Sequence, residues 1–495
     1  KSQKCVKSKT PTSRRVEIQQ LYQNYSAGMT SLPASELLKF LHKEQMELTA
    51  NEDTAESLID RYEIEETARE NRSMTFEGFL RYMESKDCCV FNQAHTSVYQ
   101  DMDQPLTNYF ISTSHNTYLT GDQLIGKSHL DAYVWALRKG CRCLEIDTWD
   151  GPDMEPIVYH GYTLTTKILF KDVITTVARH AFEVSAYPVI LSLENHCSQQ
   201  QQEVMAQYLV SILGDVLLTG PLDHLANGEL PSPNEKKVVV AQALSDLVIY
   251  TRSVKFISFS HSRENQSNFE NTSTAEKKAR KLASASGLDF VQHNQRFLTR
   301  IYPAGSRMSS SNYNTRLKFW FVTGAGVALN FQSLGLPMDL NDGRFQDNGG
   351  CGYVLKPAVL LPSDTSFDPM CSQHRLKPTH LLLKVISGSN LPVTRSNKCL
   401  DPFVRVEIHG IPSDSRKKNT QTVKNNSLSP HWDTGMNFSI SVPELCLVRF
   451  CVRDQTGLLS SEFVGQYTLP FTSMRKGEPQ GCTRCHISSH DIMTE

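Results

Sequence analysis

The spacing of apolar residues changes twice along the chain, and each change predicts a different architecture. From about 16 to 90, apolar residues recur three and four positions apart, as in Leu37, Phe40 and Leu41. This spacing is typical of amphipathic helices packed on one core. We therefore expect a helical lobe over 16–90, preceded by a basic tail over 1–15.

The middle of the chain, from about 103 to 360, contains short apolar runs separated by amphipathic stretches. Eight strand-like runs with interleaved helices predict a (β/α)₈ barrel of the TIM type. A doubly wound sheet is the competing topology. Residues 361–378 contain prolines and few aliphatic side chains, which predicts a linker.

From 379 to 495 the period of the apolar residues becomes two. Val404, Val406 and Ile408 alternate with charged residues, and turn-rich segments separate such runs. This pattern predicts an antiparallel β-sandwich. The predicted fold class is thus a multidomain α/β chain with a helical lobe, a TIM-like barrel and a C-terminal β-sandwich.

The composition of the chain limits the classes of partner that it can bind. The chain has 495 residues, with 51 Lys and Arg against 52 Asp and Glu, so it has no overall positive field for nucleic acid, and we expect no nucleic-acid partner. An odd number of cysteines, 13, without a visible secretory segment favours a reducing, cytoplasmic setting. The longest apolar run, 319–331, is too short to span a bilayer, so we expect no transmembrane segment and only peripheral membrane contact.

Polar side chains end several predicted barrel strands. The first strand ends in a histidine and an amide, the next carries two carboxylates spaced by two, and the third and fourth end in a histidine and a carboxylate: His115, Asn116, Glu145, Asp147, His160 and Glu194. The C-terminal ends of barrel strands meet at one mouth. All-oxygen ligands there favour Ca²⁺ or Mg²⁺, and the two histidines offer acid–base chemistry.

Six segments carry a resemblance to a known family. Residues 111–119, 145–151, 158–161 and 191–196 resemble the X region of eukaryotic phosphoinositide-specific phospholipase C, and 300–305 and 348–353 resemble its Y region. The resemblance divides the barrel into an X half, 103–235, and a Y half, 236–360. It makes the helical lobe a degenerate EF-hand module, the sandwich a C2 domain, and the class delta, with zeta as the alternative.

The resemblance also implies roles. One catalytic Ca²⁺ is expected on Asn116, Glu145, Asp147 and Glu194. Glu145 is the expected general base, His115 stabilises charge on phosphorus, and His160 protonates the leaving diacylglycerol oxygen. The inositol ring and its 4-phosphate are expected to contact Ser273, Arg300 and Tyr302, and an apolar rim that includes Tyr162 and Leu164 is expected to meet lipid.

The C2 resemblance places calcium ligands at Asp401, Asn425 and Asp454, although Thr456 stands where a further carboxylate is expected. Two carboxylates predict a weak calcium site. The chain ends soon after Ile487, so we expect the last strand of the domain to be missing.

The predicted function is calcium-dependent hydrolysis of phosphatidylinositol 4,5-bisphosphate to diacylglycerol and inositol 1,4,5-trisphosphate on a phosphoinositide-containing membrane. The alternative is a catalytically impaired, membrane-binding scaffold. It is motivated by Lys236 and Lys237, which lie before their strand instead of at its phosphate-binding end, and by an altered segment at 315–326. A weaker alternative is a bacterial-type lyase that stops at the cyclic product and uses an arginine in place of calcium.

Overall fold

The computed structural model describes most of the chain in two compact units. One unit comprises residues 1–94, 376–410 and 414–495, and the other comprises 95–375 and 411–413. The described residues are 12–45, 47, 49–219, 230, 232–233, 247, 251–313, 326–362, 367–369, 377–389, 391–392, 399–475 and 482–488. The lysines at 236 and 237, the predicted strand around them, and nearly all of 315–326 lie outside these ranges.

The described residues of the helical lobe form five α-helices and a short two-stranded ladder. In chain order they are α1 (Thr12–Ser26), β1 (Leu32–Pro33), α2 (Ala34–Lys43), α3 (Glu52–Tyr62), α4 (Glu66–Glu70), β2 (Ser73–Met74) and α5 (Phe76–Met83). The strands β1 and β2 pair antiparallel. Side-chain caps start two of the helices, because Asn51 accepts from the Thr54 N–H and Thr75 accepts from the Gly78 N–H. Helix α1 begins at Thr12, inside the segment predicted as a basic tail.

The predicted helical periodicity is confirmed in this lobe. Leu37, Phe40 and Leu41 are fully buried, and the Phe40 ring packs edge-on against Phe79 with centroids 5.0 Å apart. Burial of such side chains contributes about 1.5–3 kcal/mol each. Apolar packing therefore holds the lobe together.

The second unit is built from ten strands and seven helices among the described residues. The strands are β3 (Tyr109–Ile111), β4 (Cys143–Trp149), β5 (Ile157–Val158), β6 (Ile168–Leu169), β7 (Ile190–His196), β8 (Arg252–Val254), β9 (Glu270–Ala275), β10 (Leu298–Tyr302), β11 (Gly326–Val327) and β12 (Tyr353–Leu355). The helices are α6 (Leu130–Arg138), α7 (Phe170–His180), α8 (Gln199–Leu213), α9 (Phe259–Asn265), α10 (Glu276–Ala285), α11 (Gly287–Asn294) and α12 (Leu336–Phe345).

These strands form two sheets of a TIM-type barrel. Their orders are β6-β5-β4-β7 and β12-β3-β11-β10-β9-β8, and a parallel bridge between Thr113 and Cys143 joins them. The ladders β4–β7, β8–β9, β9–β10, β10–β11 and β11–β3 are parallel. Strand β3, from the X half, lies between β11 and β12 of the Y half, so the two halves share one sheet.

Two strands pair antiparallel with a neighbour, unlike the all-parallel strands of a regular (β/α)₈ barrel. Strand β12 pairs antiparallel with β3, and β5 pairs antiparallel with β4, with Val158 opposite Thr148. The expectation that His160 ends a third parallel strand is therefore wrong. The connection from β4 to β5 is too short to hold a crossover helix, and such a connection makes a hairpin.

The described residues of the C-terminal sandwich form seven strands in two sheets. They are β13 (Thr379–Ser389), β14 (Pro402–His409), β15 (Arg416–Asn419), β16 (His431–Ile440), β17 (Leu447–Gln455), β18 (Ser461–Pro470) and β19 (Cys482–Ser488). The sheet orders are β16-β13-β19 and β15-β14-β17-β18. The alternation predicted in β14 is observed, since Val404, Val406 and Ile408 are buried. Strand β19 pairs parallel with β13, and 489–495 lie outside the described ranges.

Candidate active site

A cavity of about 720 Å³ opens in the barrel. It brings together every residue predicted in this unit for catalysis, metal binding or substrate binding: His115, Asn116, Glu145, Asp147, His160, Glu194, Ser273, Arg300 and Tyr302. His160 reaches it from the segment after the β5 hairpin strand, although that strand runs against the predicted direction. The strand-end pattern in the sequence therefore identified the residues of one cavity.

Three carboxylates meet on neighbouring strands of this cavity. Asp147 and Glu194 are paired residues in the parallel ladder of β4 and β7, and Glu145 lies two positions before Asp147 on the same face. One oxygen from each of the three lies within 4.8 Å of the others. Glu145 and Asp147 are buried, whereas Glu194 is exposed.

The surroundings of Asp147 suit a cation. Its Oδ2 accepts a 2.5 Å hydrogen bond from the Tyr118 hydroxyl, while its buried Oδ1 has no partner in the described part of the chain. Burial, together with the negative charges of Glu145 and Glu194, raises the pKa of Asp147 well above its ordinary value. A hard divalent ion with oxygen ligands would satisfy the free oxygen and offset the repulsion. The donor set thus fits calcium.

Glu145 is as buried as Asp147, but its electrostatic environment is different. Arg300 Nη2 is 2.8 Å from its Oε2, and the Asn116 N–H donates to the same oxygen at 2.7 Å. Burial alone would raise the pKa of Glu145, but the charges of Arg300 and His115 outweigh burial and lower it. The surroundings of Glu145 therefore favour its ionised form, whereas those of Asp147 disfavour ionisation.

Both histidines are held through Nδ1. His115 Nδ1 lies 2.8 Å from the side-chain oxygen of Asn330, and His160 Nδ1 lies 2.7 Å from the backbone oxygen of Gln123. Because each partner is an acceptor, each Nδ1 carries a proton, which leaves Nε2 for a ligand in the cavity. Burial lowers the pKa of His115, and the charge of Glu145 opposes that effect.

Asn330 is a site residue that the sequence reasoning missed. Its side chain is buried, and its backbone exchanges two hydrogen bonds with the Asn312 side chain, at 2.7 and 3.0 Å. It follows the apolar run 327–329 after β11, so the strand-end rule applied to the other strands would have found it. Its contact with His115 makes it a candidate positioning residue.

Gln123 and His196 were also missed. The Gln123 side chain accepts from Asn116 Nδ2 at 2.7 Å, in addition to the backbone contact with His160. His196 Nε2 lies 3.0 Å from Glu194 Oε1, and its ring stacks on Trp149 at 4.0 Å. Gln123 lies in a loop and has no periodic signal, whereas His196 lies two residues after a predicted ligand.

The predicted substrate contacts line the same cavity from β9 and β10, and Arg300 lies next to the Glu145 carboxylate. Ser273 on β9 is paired with Arg300 on β10, and Tyr302 follows on the same face of β10 as Arg300. The Arg300 Nε is buried and has no partner among the residues described. This wall therefore offers a guanidinium and two hydroxyl-bearing side chains to a polar ligand.

The residues predicted to bind calcium in the sandwich also meet. The Asn425 N–H donates to Asp401 Oδ1 at 2.8 Å, and the Asp401 N–H donates to Asp454 Oδ1 at 2.7 Å. However, the Lys424 ammonium lies 2.8 Å from Asp401 Oδ2. An ammonium already neutralises one of the two carboxylates, so this donor set does not fit a calcium ion.

Comparison with protein-family models identifies four matching regions. The chain matches the phosphatidylinositol-specific phospholipase C X domain over 102–242 and the Y domain over 244–359. It also matches the EF-hand-like domain of phosphoinositide-specific phospholipase C over 10–93 and the C2 domain over 379–485.

Similar proteins extend this match over most of the chain. A human 1-phosphatidylinositol 4,5-bisphosphate phosphodiesterase delta-4 is 42% identical, covering 97% of this chain and 70% of that protein. A human zeta-1 enzyme of the same name is 44% identical, covering 94% of this chain and 84% of that protein. The crystal structure of PLC21 from L. pealei matches with a TM-score of 0.80 and 32% identity, over 93% of this chain and 65% of that one.

The fold and the site thus define an α/β barrel hydrolase with helical and C2 accessory modules. The chain belongs to the phosphoinositide-specific phospholipase C family, as the resemblance predicted. Among the described helices, none has the length and apolar character needed to cross a membrane.

Proposed function

We propose that this chain is a calcium-dependent phosphodiesterase that hydrolyses phosphatidylinositol 4,5-bisphosphate to diacylglycerol and inositol 1,4,5-trisphosphate. The observation that carries the proposal is one cavity in which two histidines, each held through Nδ1, flank three clustered carboxylates. The printed names of the delta-4 and zeta-1 relatives support this choice of substrate.

The residues of the chain have separable roles in this reaction. Glu145, kept ionised by Arg300, accepts the proton of the inositol 2-hydroxyl as it attacks phosphorus. His160 donates a proton from Nε2 to the departing diacylglycerol oxygen. His115, when Nε2 also carries a proton, donates from that nitrogen to the phosphate and stabilises its growing negative charge. Water then opens the cyclic phosphodiester with the acid and base roles reversed.

Asn116, Glu145, Asp147 and Glu194 would hold the calcium ion. When bound there, the ion would supply positive charge that lowers the pKa of the 2-hydroxyl and offsets the charge of the phosphate. His196 fixes one carboxylate of this set through its 3.0 Å contact with Glu194. Ser273, on β9, and Arg300 and Tyr302, on β10, bind the ring and its 4-phosphate.

The substrate places the enzyme at the cytoplasmic surface of a phosphoinositide-containing membrane, bound peripherally. Exposed apolar side chains of the barrel unit support this assignment. Tyr162 and Leu164 are 95% and 82% exposed. Large apolar side chains exposed together are typical of surfaces that contact lipid or protein.

The test is release of soluble inositol phosphate from mixed micelles at buffered calcium. Wild-type protein should release it, and both a chelator and the His160→Ala substitution should abolish release. Equal turnover by wild type and His160→Ala would refute the assignment. Vesicle binding without any turnover would instead favour the catalytically impaired scaffold.

A further inference from the structure

Among the described residues, two loops at one end of the C2 sandwich bond to the short segment that precedes β14. The loop after β15 bonds to this segment through the Asn426 N–H, which donates to Leu400 O at 2.9 Å. The loop after β17 bonds to it through the Gln455 N–H, which donates to Asp401 O at 3.0 Å. We call the two loops, 420–430 and 455–460, the C2 tip.

An ammonium group of the chain itself pairs with Asp401 at the C2 tip. Both oxygens of Asp401 are engaged, one by the Lys424 ammonium at 2.8 Å and the other by the Asn425 N–H at 2.8 Å. Thr456 contributes no charge, and its hydroxyl donates to Ser460 Oγ at 3.2 Å. Lys424 therefore supplies here the positive charge that a bound ion would supply to the loops.

The outer part of the C2 tip is apolar. Leu458 and Leu459 are fully exposed, at 101% and 103%, and Leu428 on the other loop is 67% exposed. Two adjacent leucines with almost no protein contact bury no surface in this unit. They add nothing to folding, so their placement points to a partner that takes apolar side chains.

The flanking charge indicates what that partner is. Strand β15 is the edge strand of its sheet, and it runs toward the C2 tip. Arg416, Lys417 and Lys418 on it are all exposed. An apolar tip beside a basic edge is complementary to an anionic lipid bilayer, where leucines enter the acyl boundary and the basic residues stay at the headgroups.

We propose that the C2 tip docks on anionic lipid without calcium, with Lys424 in the place of the ion. The proposal rests on the peripheral membrane association proposed above and adds its site and its calcium independence. Binding of the full chain to vesicles of phosphatidylcholine and phosphatidylserine, without phosphoinositide, tests it separately from hydrolysis. Wild-type binding in EGTA and in calcium should agree within about twofold.

Substitutions separate the contributions of the two leucines and of Lys424 to vesicle binding. Leu458→Ser with Leu459→Ser should weaken binding at least about fivefold, because the leucines lose their transfer into lipid. Ile64→Ser is the control, since Ile64 is a 54% exposed apolar residue of the helical lobe, and it should bind as wild type. Lys424→Gln should weaken binding in EGTA and make it respond to calcium, while Lys424→Arg should retain wild-type behaviour.

Three results would overturn the proposal. They are wild-type binding that requires calcium, double-serine binding equal to wild type, and no vesicle binding in either condition, which would leave the C2 tip to a protein partner. Thermal unfolding of each variant checks that the sandwich is intact. Hydrolysis of micellar substrate should be unchanged in the double-serine variant, so failure here is distinguishable from failure of the proposed catalytic function.

Discussion

The contact between Asn330 and His115 makes a sharp prediction about catalysis. Asn330→Leu keeps the side-chain size but removes the oxygen that accepts the His115 Nδ1–H at 2.8 Å. The imidazole then has a buried donor without a partner, and its orientation and tautomer are no longer fixed. Loss of one such bond costs about 1–3 kcal/mol, and loss of comparable supporting residues elsewhere costs about 10–100-fold in activity.

We therefore expect kcat to fall by roughly 10–100-fold in Asn330→Leu with KM changed less than about twofold. KM should be spared because His115 acts on the phosphate in the transition state, while Ser273, Arg300 and Tyr302 bind the ring. The assay is micellar hydrolysis at saturating calcium. Nitrogen NMR of the labelled imidazole should report a mixture of tautomers in the variant and one tautomer in wild type.

Two comparison variants make this prediction refutable. Asn330→Asp restores an acceptor and should recover most of the lost kcat. Asn341→Leu makes the same change at another buried asparagine, on α12, and should leave kcat unchanged. A wild-type kcat in Asn330→Leu, or equal losses in Asn330→Leu and Asn330→Asp, would refute the positioning role.

Three further predictions concern the acid, the metal and the barrel core. His160→Ala should lower kcat by about 10²–10⁴-fold through loss of proton donation, and a smaller effect in single-turnover hydrolysis would contradict that role. Glu194→Gln removes one charge from the carboxylate cluster and should raise the calcium concentration for half-maximal activity about tenfold or more, whereas an unchanged calcium titration would exclude Glu194 as a ligand. Burial among phenylalanine rings, with the charges of Arg263 and Arg296, lowers the pKa of His293 to about 4, and neither ring nitrogen has a partner in the ranges that the structure describes. Since the unfolded chain binds this proton at a pKa near 6.5, stability should fall by about 2 kcal/mol between pH 7 and 4.5, and His293→Leu should remove that part of the loss in urea unfolding.

Local periodicity predicted that the three carboxylates lie together because their positions depend only on two parallel strands. Glu145 and Asp147 share a face of β4, and Glu194 follows the apolar part of β7, so the ladder register joins them. The same reasoning needs no knowledge of loops. The positions of the strand ends were therefore sufficient to identify the residues of the candidate site.

Strand periodicity could not predict the contacts that are made by loops and hairpins. The direction of β5 depends on a short hairpin, and the bond from Gln123 to His160 comes from a loop backbone. The ammonium of Lys424 pairs with the carboxylate of Asp401, 23 positions earlier in the chain, which ligand spacing does not reveal. Each of these contacts joins segments whose distance is set by the folded chain, so position in the sequence gives no measure of it.

The position of β3 between β11 and β12 affects how the protein is made. The hydrogen-bonding edges of β3 stay unpaired on the ribosome until both of those strands have been synthesised. His115 and Asn330, whose side chains are bonded in the folded protein, are 215 positions apart in the sequence. Closing such a distant pairing is slow and leaves unpaired edges exposed to aggregation. A chain terminated before β11 therefore lacks both strands that pair with β3 and the residue that holds the His115 ring. We expect such a chain to be bound by chaperones or degraded by proteases.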